Sequence, residues 1–344
     1  MPQHDQRLLD LNVWLEPQLE ALFARRGWGE VPEMSLIPAS SDASFRRYFR
    51  WEAGQRSFIL MDAPPPQENC RPFVAIAGLL AEAGVHVPEI LAADLDQGFL
   101  LLSDLGRQTY LDVIDADNAD RLFQDAIEAL LTFQVGAIPA ALPSYDEALL
   151  RRELHLFPEW YVGRQLGREF SEDERALWDR MCKVLIDSAL AQPKVLVHRD
   201  YMPRNLMVST PNPGVLDFQD AVFGPITYDI VSLFRDAFVS WEEARVIDWV
   251  VRYWEKARRA ELPVGADFAA FYRDFEWMGL QRHLKVLGIF ARIHYRDGKP
   301  GYLEDTPRFH GYARAVCARY RELAPLLALF DRLERRESAA GYTF

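Results

Sequence analysis

"VLVHRDYMPRN", residues 195–205, passes from a run of apolar β-formers straight into a polar loop. Val195-Leu196-Val197 has the composition of a buried strand end. His198, Arg199, Asp200 and Asn205 follow in the loop, although an ordinary strand end needs none of them. A second short apolar run, Leu206-Met207-Val208, and a turn at residues 211–214 lead to Val215-Leu216-Asp217-Phe218. Pairing of these runs brings Asp200, Asn205 and Asp217 to one edge.

That set suits one task. A hydroxyl that attacks a phosphoryl group loses its proton, so a carboxylate is needed within hydrogen-bond reach. Magnesium takes hard oxygen ligands, which an Asp and an Asn carbonyl supply while waters and phosphate oxygens complete the shell. Phosphoryl transfer is mostly positioning and charge neutralisation and asks for few protein groups. Asp200, Asn205 and Asp217 offer between them the groups that both tasks need.

Working outward, apolar residues at Leu8, Leu11, Leu15, Leu19, Leu22 and Phe23 predict a helix over 7–26, stopped by Gly27 and Gly29. Strand-like runs follow at 34–38, 45–51 and 57–61, with Gly54 in a turn between the last two. A helix over 72–83 and strands over 90–95 and 98–103 complete the front part. From about Thr109 helical patterns dominate: 117–135, 146–168, 172–191, 230–260, 266–296 and 306–334. They are interrupted once, by the three short strands of 195–220. The chain therefore reads as an α+β protein. Residues 1–103 form a small β-rich lobe, 104–106 a connector, and 107–344 a large, mainly helical lobe.

The formal net charge of −12 repels polyanions, so nucleic acid is not the expected partner. No stretch approaches the roughly 18–20 apolar residues of a membrane span. The polar start, MPQHDQRLLDLNVW, is not that of a signal peptide. Cys70, Cys182 and Cys317 are far apart, odd in number and in no CxxC pair, which fits free thiols in a reducing cytoplasm. Lys183 is the first lysine, so residues 1–182 rely on arginine for fixed positive charge.

HRDYMPRN is similar to the His-x-Asp-x-x-x-x-Asn catalytic loop of protein kinases and their small-molecule relatives, and Asp217-Phe218 sits where they have Asp-Phe-Gly. The continuation DFQDAVFGPITYDIVSLFRD resembles the aminoglycoside phosphotransferase and choline kinase superfamily. SSDASFRRYFR (40–50), FILMDAPP (58–65) and GFLLLSDLG (98–106) extend the likeness, in order, to the anomeric sugar kinases of bacterial cell-wall recycling. The resemblance implies a two-lobed protein-kinase-like fold and an ATP-dependent, Mg²⁺-using kinase. Its acceptor would be the C1 hydroxyl of N-acetylmuramate and N-acetylglucosamine. It also implies Asp200 as proton acceptor, Asn205 and Asp217 as holders of Mg²⁺ on the phosphates of ATP, and Asp229 as a hydrogen-bond partner of the catalytic loop. His198 reads as a supporting residue that bonds backbone or Asp217 to shape the loop. Arg199 reads as structural, since only about a dozen residues separate Asp217 from Asp229 and leave no activation segment.

The front lobe departs from the protein-kinase pattern. It has no G-x-G-x-x-G; the equivalent turn is residues 39–44, where Ser41 and Ser44 are small enough to let backbone amides approach phosphates. Met61 stands where a phosphate-binding lysine is expected, so either an arginine substitutes or the metal carries more of the charge. Alternation puts Arg46 with Tyr48 and Arg50 on one strand face, and Arg47 with Phe45, Phe49 and Trp51 on the other, aromatic one. Arg46 and Arg47 are equal candidates. Otherwise Arg46 and Arg50 are solvated strand charges, and Glu68 either orients the phosphate-binding arginine or is an ordinary solvated carboxylate. Leu102, Ser103 and Asp104 of the connector are expected to offer backbone groups to adenine, and Gly106 to turn the chain. For the acceptor, candidates are Arg235, Asp236, Arg292 and His294, with Trp241. Two other readings stay open: an aminoglycoside, homoserine or choline-like acceptor, and a nucleotide-binding homologue without catalysis.

Overall fold

The computed structural model describes residues 5–41, 45–136 and 142–334, with backbone alone at 40, 41 and 300. Its contacts divide it into two units. One runs to Asp112 and includes Asn205–Asp220; the other comprises Val113–Arg204 and the chain from Ala221 onward.

In the first unit, helix α1 (Gln6–Arg26) begins where the Asp5 side chain accepts the Leu8 amide, and ends at Gly27 in the left-handed region. Five antiparallel strands follow: β1 (Ile37–Ser41), β2 (Arg47–Ala53), β3 (Arg56–Asp62), β4 (Ile90–Asp94) and β5 (Phe99–Ser103). Their spatial order is β1-β2-β3-β5-β4. Leu11, Leu15, Leu19, Leu22 and Phe23 of α1 cover one sheet face, packing on Trp51, Phe58, Leu60, Phe99 and Leu101. Each such fully buried side chain contributes about 1.5–3 kcal/mol. Helix α2 (Arg71–Glu82) lies between β3 and β4 in the chain.

Residues 205–220 join this unit through long-range bonds. The Val208 amide donates to the Gln108 carbonyl at 2.9 Å and the Val215 amide to the His86 carbonyl at 2.8 Å. Strands β7 (Leu206–Met207) and β8 (Gly214–Val215) pair with each other, and Phe218 lies 4.8 Å from Phe73 of α2. In sequence order this segment lies inside the helical part, so the contacts draw the boundary differently from the order of the chain.

The second unit is helical around a two-stranded ladder, β6 (Lys194–Val197) with β9 (Val222–Pro225). The single turn α3 (Tyr110–Val113) spans the boundary at Asp112, and α4 (Ala119–Gly136) and α5 (Glu147–Leu156) follow it. A π-helical stretch, Phe157–Gln165, takes the second half of the expected 146–168 helix, with Pro158 near its start. Then come α6 (Glu172–Ala191), α7 (Tyr228–Phe234), α8 (Glu243–Arg259), α9 (Phe268–Asp297), α10 (Thr306–Arg319) and α11 (Ala324–Leu333). The 230–260 pattern is two helices rather than one, because the backbone leaves helical geometry at Arg235, φ −121° and ψ 59°. The 306–334 pattern is likewise split, by a 3₁₀ turn at Arg321–Leu323.

Helix α9 is the spine of this unit. Its 30 residues span about 45 Å at about 1.5 Å each. Gly288 lets it approach α5, since a Cβ there would lie 2.4 Å from the Leu156 carbonyl. Glu276, Gln281, Arg282, His283 and Lys285 are buried along it, where apolar side chains are the rule.

Candidate active site

In the helical unit, the buried strand β6 delivers the chain to His198. Asp229, second residue of α7 and wholly buried, accepts the His198 amide at 2.7 Å and the Arg199 amide at 3.0 Å. Burial pushes its carboxyl up to about 7, against those two bonds, which favour the charged form. The His198 ring accepts the Asp200 amide at 3.3 Å and packs edge-on to Tyr201. Tyr201 anchors the loop from the other side, donating to the Ala126 carbonyl at 2.7 Å. Asp200 itself is half-buried.

Arg199 has φ 77°, a conformation that a side chain of its size rarely adopts. Its guanidinium donates to Glu153 at 2.5 Å. Glu153, buried on α5, also receives Tyr145 Oη, Gln281 at 3.1 Å and the Lys285 ammonium at 3.2 Å. Burial opposes its charge, but Lys285 and Arg199 outweigh it and hold the carboxyl down to about 2. Lys285 in turn donates to Tyr228 Oη at 3.0 Å, beside Asp229 in the chain. A buried network thus fixes a strained loop residue.

In the first unit, Asn205 Nδ2 donates to Asp217 Oδ2 at 3.3 Å, and Gln219 Nε2 to Asp217 Oδ1 at 2.8 Å. The Leu216 amide donates to the Asn205 carbonyl at 2.9 Å, tying the two segments together. Asp217 has φ 65°; among the described residues only it, Arg199 and Glu261 are non-glycine residues with positive φ. No cluster of three or more His, Cys, Asp or Glu among the described residues is placed to hold a metal. The donor set fits a different kind of site, in which one carboxylate and one carboxamide share a hard cation with phosphate oxygens.

The two arginines part company here. Arg47 lies on the face that α1 covers, donating to Asp5 and, at 2.5 Å, to Asp62, so two carboxylates engage it. Arg46 precedes β2 and points the other way. It donates to Glu68 at 3.1 Å, both side chains being only 12% exposed, and its charge attracts that of Asp217. Glu68 also accepts the Phe45 amide at 3.1 Å, so it is not the solvated side chain its position suggests. Phe45 is 67% exposed rather than buried, because β2 begins only at Arg47. Ser44 lies outside the described residues, as does the side chain of Ser41.

In the connector, Leu102 is buried in β5 between β3 and β4. The Ser103 amide donates to the Glu89 carbonyl at 2.9 Å. The Asp104 carboxylate accepts Arg50 at 2.6 Å, Ser57 at 2.5 Å and the Gly106 amide at 3.0 Å. Its side chain is therefore structural, and Arg50 is not the solvated strand charge expected. Gly106 turns the chain at φ 117°.

The pattern of a phosphotransferase enzyme family matches residues 35–267. This chain belongs to the phosphotransferase enzyme family. It is similar to the N-acetylmuramate/N-acetylglucosamine kinase of Pseudomonas putida, 66% identical over 334 residues covering 97% of this chain and 98% of that one. The kinase of the same name from Neisseria meningitidis is 47% identical over 345 residues, 98% of this chain and all of that one. Two solved structures share the fold at low identity. The choline kinase LicA of Streptococcus pneumoniae has TM-score 0.60 at 14% identity, covering 88% of this chain and 99% of that one. An ADP-bound aminoglycoside phosphotransferase has TM-score 0.55 at 12%, covering 86% and 97%.

The phosphotransferase's acceptor candidates scatter. Arg235 is buried against Glu276 at 3.3 Å. Asp236 is wholly buried; its Oδ1 accepts the Ala237 amide, and burial raises its carboxyl to about 6. Trp241 packs edge-on to Phe123 and Trp249, with its indole N–H unpartnered. Arg292 and His294 lie 16 and 18 positions beyond Glu276 on α9, about 24 Å or more along the axis, so they do not join Arg235 and Asp236. Sequence reasoning missed Glu153, Arg282 and Lys285. The available signal was Gln281-Arg282-His283 and Lys285 inside an otherwise apolar stretch of helix.

Proposed function

We propose that this phosphotransferase is a cytoplasmic, ATP-dependent kinase of amino sugars, acting on the anomeric hydroxyl of N-acetylmuramate and N-acetylglucosamine in peptidoglycan recycling. The observation that carries the reading is the 66% identity across 97% of the chain to a kinase of that name. Asp200 accepts the proton of the attacking hydroxyl as its oxygen bonds the γ-phosphorus and the bond to ADP breaks. Asp229 and the Glu153 network keep the loop in shape. Asp217 and Asn205 would hold magnesium, which when bound neutralises charge on the phosphates. The anomeric hydroxyl is the most acidic of the sugar and asks least of its base.

Mg-ATP with a panel of amino sugars, aminoglycosides and amino alcohols, read by ADP release, tests the reading. Turnover of N-acetylmuramate and N-acetylglucosamine is expected. Turnover of amines alone would sink the acceptor assignment, and none at all would favour a non-catalytic homologue.

Arg46 takes the place of the absent lysine, with Glu68 orienting it as an acid orients the lysine of protein kinases. Arg46→Ala is expected to raise KM for ATP by about 10- to 100-fold, the worth of a charge-assisted bond. Arg47→Ala should leave that KM within about threefold, since its carboxylate partners already occupy it. Equal effects from both variants would refute the choice.

A further inference from the structure

Buried cations in the helical unit are paired: Arg199 and Lys285 with Glu153, Arg235 with Glu276. Arg282 on α9 is different. It is 3% exposed, its Nε and Nη1 have no hydrogen-bond partner, and Nη2 reaches only the Met202 thioether at 4.0 Å. An unpaired buried guanidinium is strongly unfavourable, and an apolar residue would fill the same space without that penalty.

Two carboxylates feel its charge, Asp229 and Asp236. Both oxygens of Asp229 are engaged by the His198 and Arg199 amides. Asp236 uses Oδ1 for the Ala237 amide and leaves Oδ2 without a partner. Unused donors and an unused acceptor therefore lie close to the loop that carries Asp200, and Met202, two residues beyond it, touches the same guanidinium at Nη2. Met202 is half-buried, flexible and a weak acceptor, so a stronger one displaces it.

We infer that Arg282 is the carboxylate-reading residue of the acceptor site, taking the lactyl carboxylate of N-acetylmuramate once Met202 moves aside. This rests on the amino-sugar kinase reading. A guanidinium matches a carboxylate with two parallel N–H···O bonds. N-acetylglucosamine lacks the lactyl group and gains nothing from this residue. Arg282 thus sets the preference between the two sugars.

The test compares kcat/KM of the full chain and its Arg282→Met variant for both sugars by ADP release. The variant should lose about 10- to 100-fold on N-acetylmuramate, mainly in KM. That loss should exceed the loss on N-acetylglucosamine by at least about tenfold. Equal losses on both sugars, or none on either, overturn the inference. An unaltered protein inert toward both sugars overturns the kinase reading and this one with it, whereas equal losses leave the kinase reading standing. The unaltered protein also supplies a check free of folding effects. The lactyl amide of N-acetylmuramate, similar in size but uncharged, should be used about as poorly as N-acetylglucosamine. An amide used as well as the acid refutes the role.

Discussion

Asp200→Asn should lower kcat for N-acetylmuramate by about 10²- to 10⁴-fold while leaving KM for ATP nearly unchanged. Asn has the same shape but cannot accept the hydroxyl proton. The loop should survive the change, because its backbone is held from elsewhere: His198 and Arg199 by Asp229, Tyr201 by Ala126. The loss therefore reports chemistry rather than folding. Steady-state ADP release and a thermal melt on the same preparation check both halves. A kcat within about tenfold of wild type would mean that Asp200 is not the principal base.

Glu153→Gln should cost about 3–5 kcal/mol of stability at neutral pH, because it leaves the buried Lys285 and the half-buried Arg199 without a counter-charge. The effect carries a pH signature. The Glu153 carboxyl is depressed from 4.5 to about 2 in the folded protein. Its contribution is therefore present above the unfolded value and lost as pH falls through the folded one. The gap between wild type and variant, read from urea midpoints, should narrow by on the order of 3 kcal/mol over that window. Taking the difference removes Asp229, whose raised carboxyl acts with the opposite sign: the stability it contributes is lost as pH rises from 3.8 toward about 7. A pH-independent gap would show that the Glu153 charge is not what holds the network. The variant should also be a poor enzyme, since Arg199 would lose the partner that keeps it at positive φ.

The catalytic stretch was legible because its information is local. A strand end, a loop of fixed spacing and a second strand end are read along the chain. Helix α6 was expected over 172–191, the span it occupies, because Ser171 and Glu174 form a capping box and the apolar period is unbroken. The helix over 230–260 was not legible as two, because the break at Arg235 has no proline or glycine to mark it. Glu153 was invisible for a related reason. On a helix surface it would be an ordinary solvated charge, and only burial against Arg199, Lys285 and Tyr145 makes it an anchor.

The sequence by itself determined the chemistry on offer: a carboxylate, a carboxamide and a second carboxylate at spacings used for phosphoryl transfer, in a chain whose front part has no lysine. Tertiary structure decided which groups are available for it. It committed Arg47 to Asp5 and Asp62 and set Arg46 beside Glu68, because those carboxylates come from other parts of the chain. It packed Asn205–Asp220 with the first unit through bonds to His86 and Gln108. It also left Arg282 buried without a hydrogen-bond partner for Nε and Nη1. Burial and partnership depend on residues distant in the chain, and spacing along a sequence carries no measure of either.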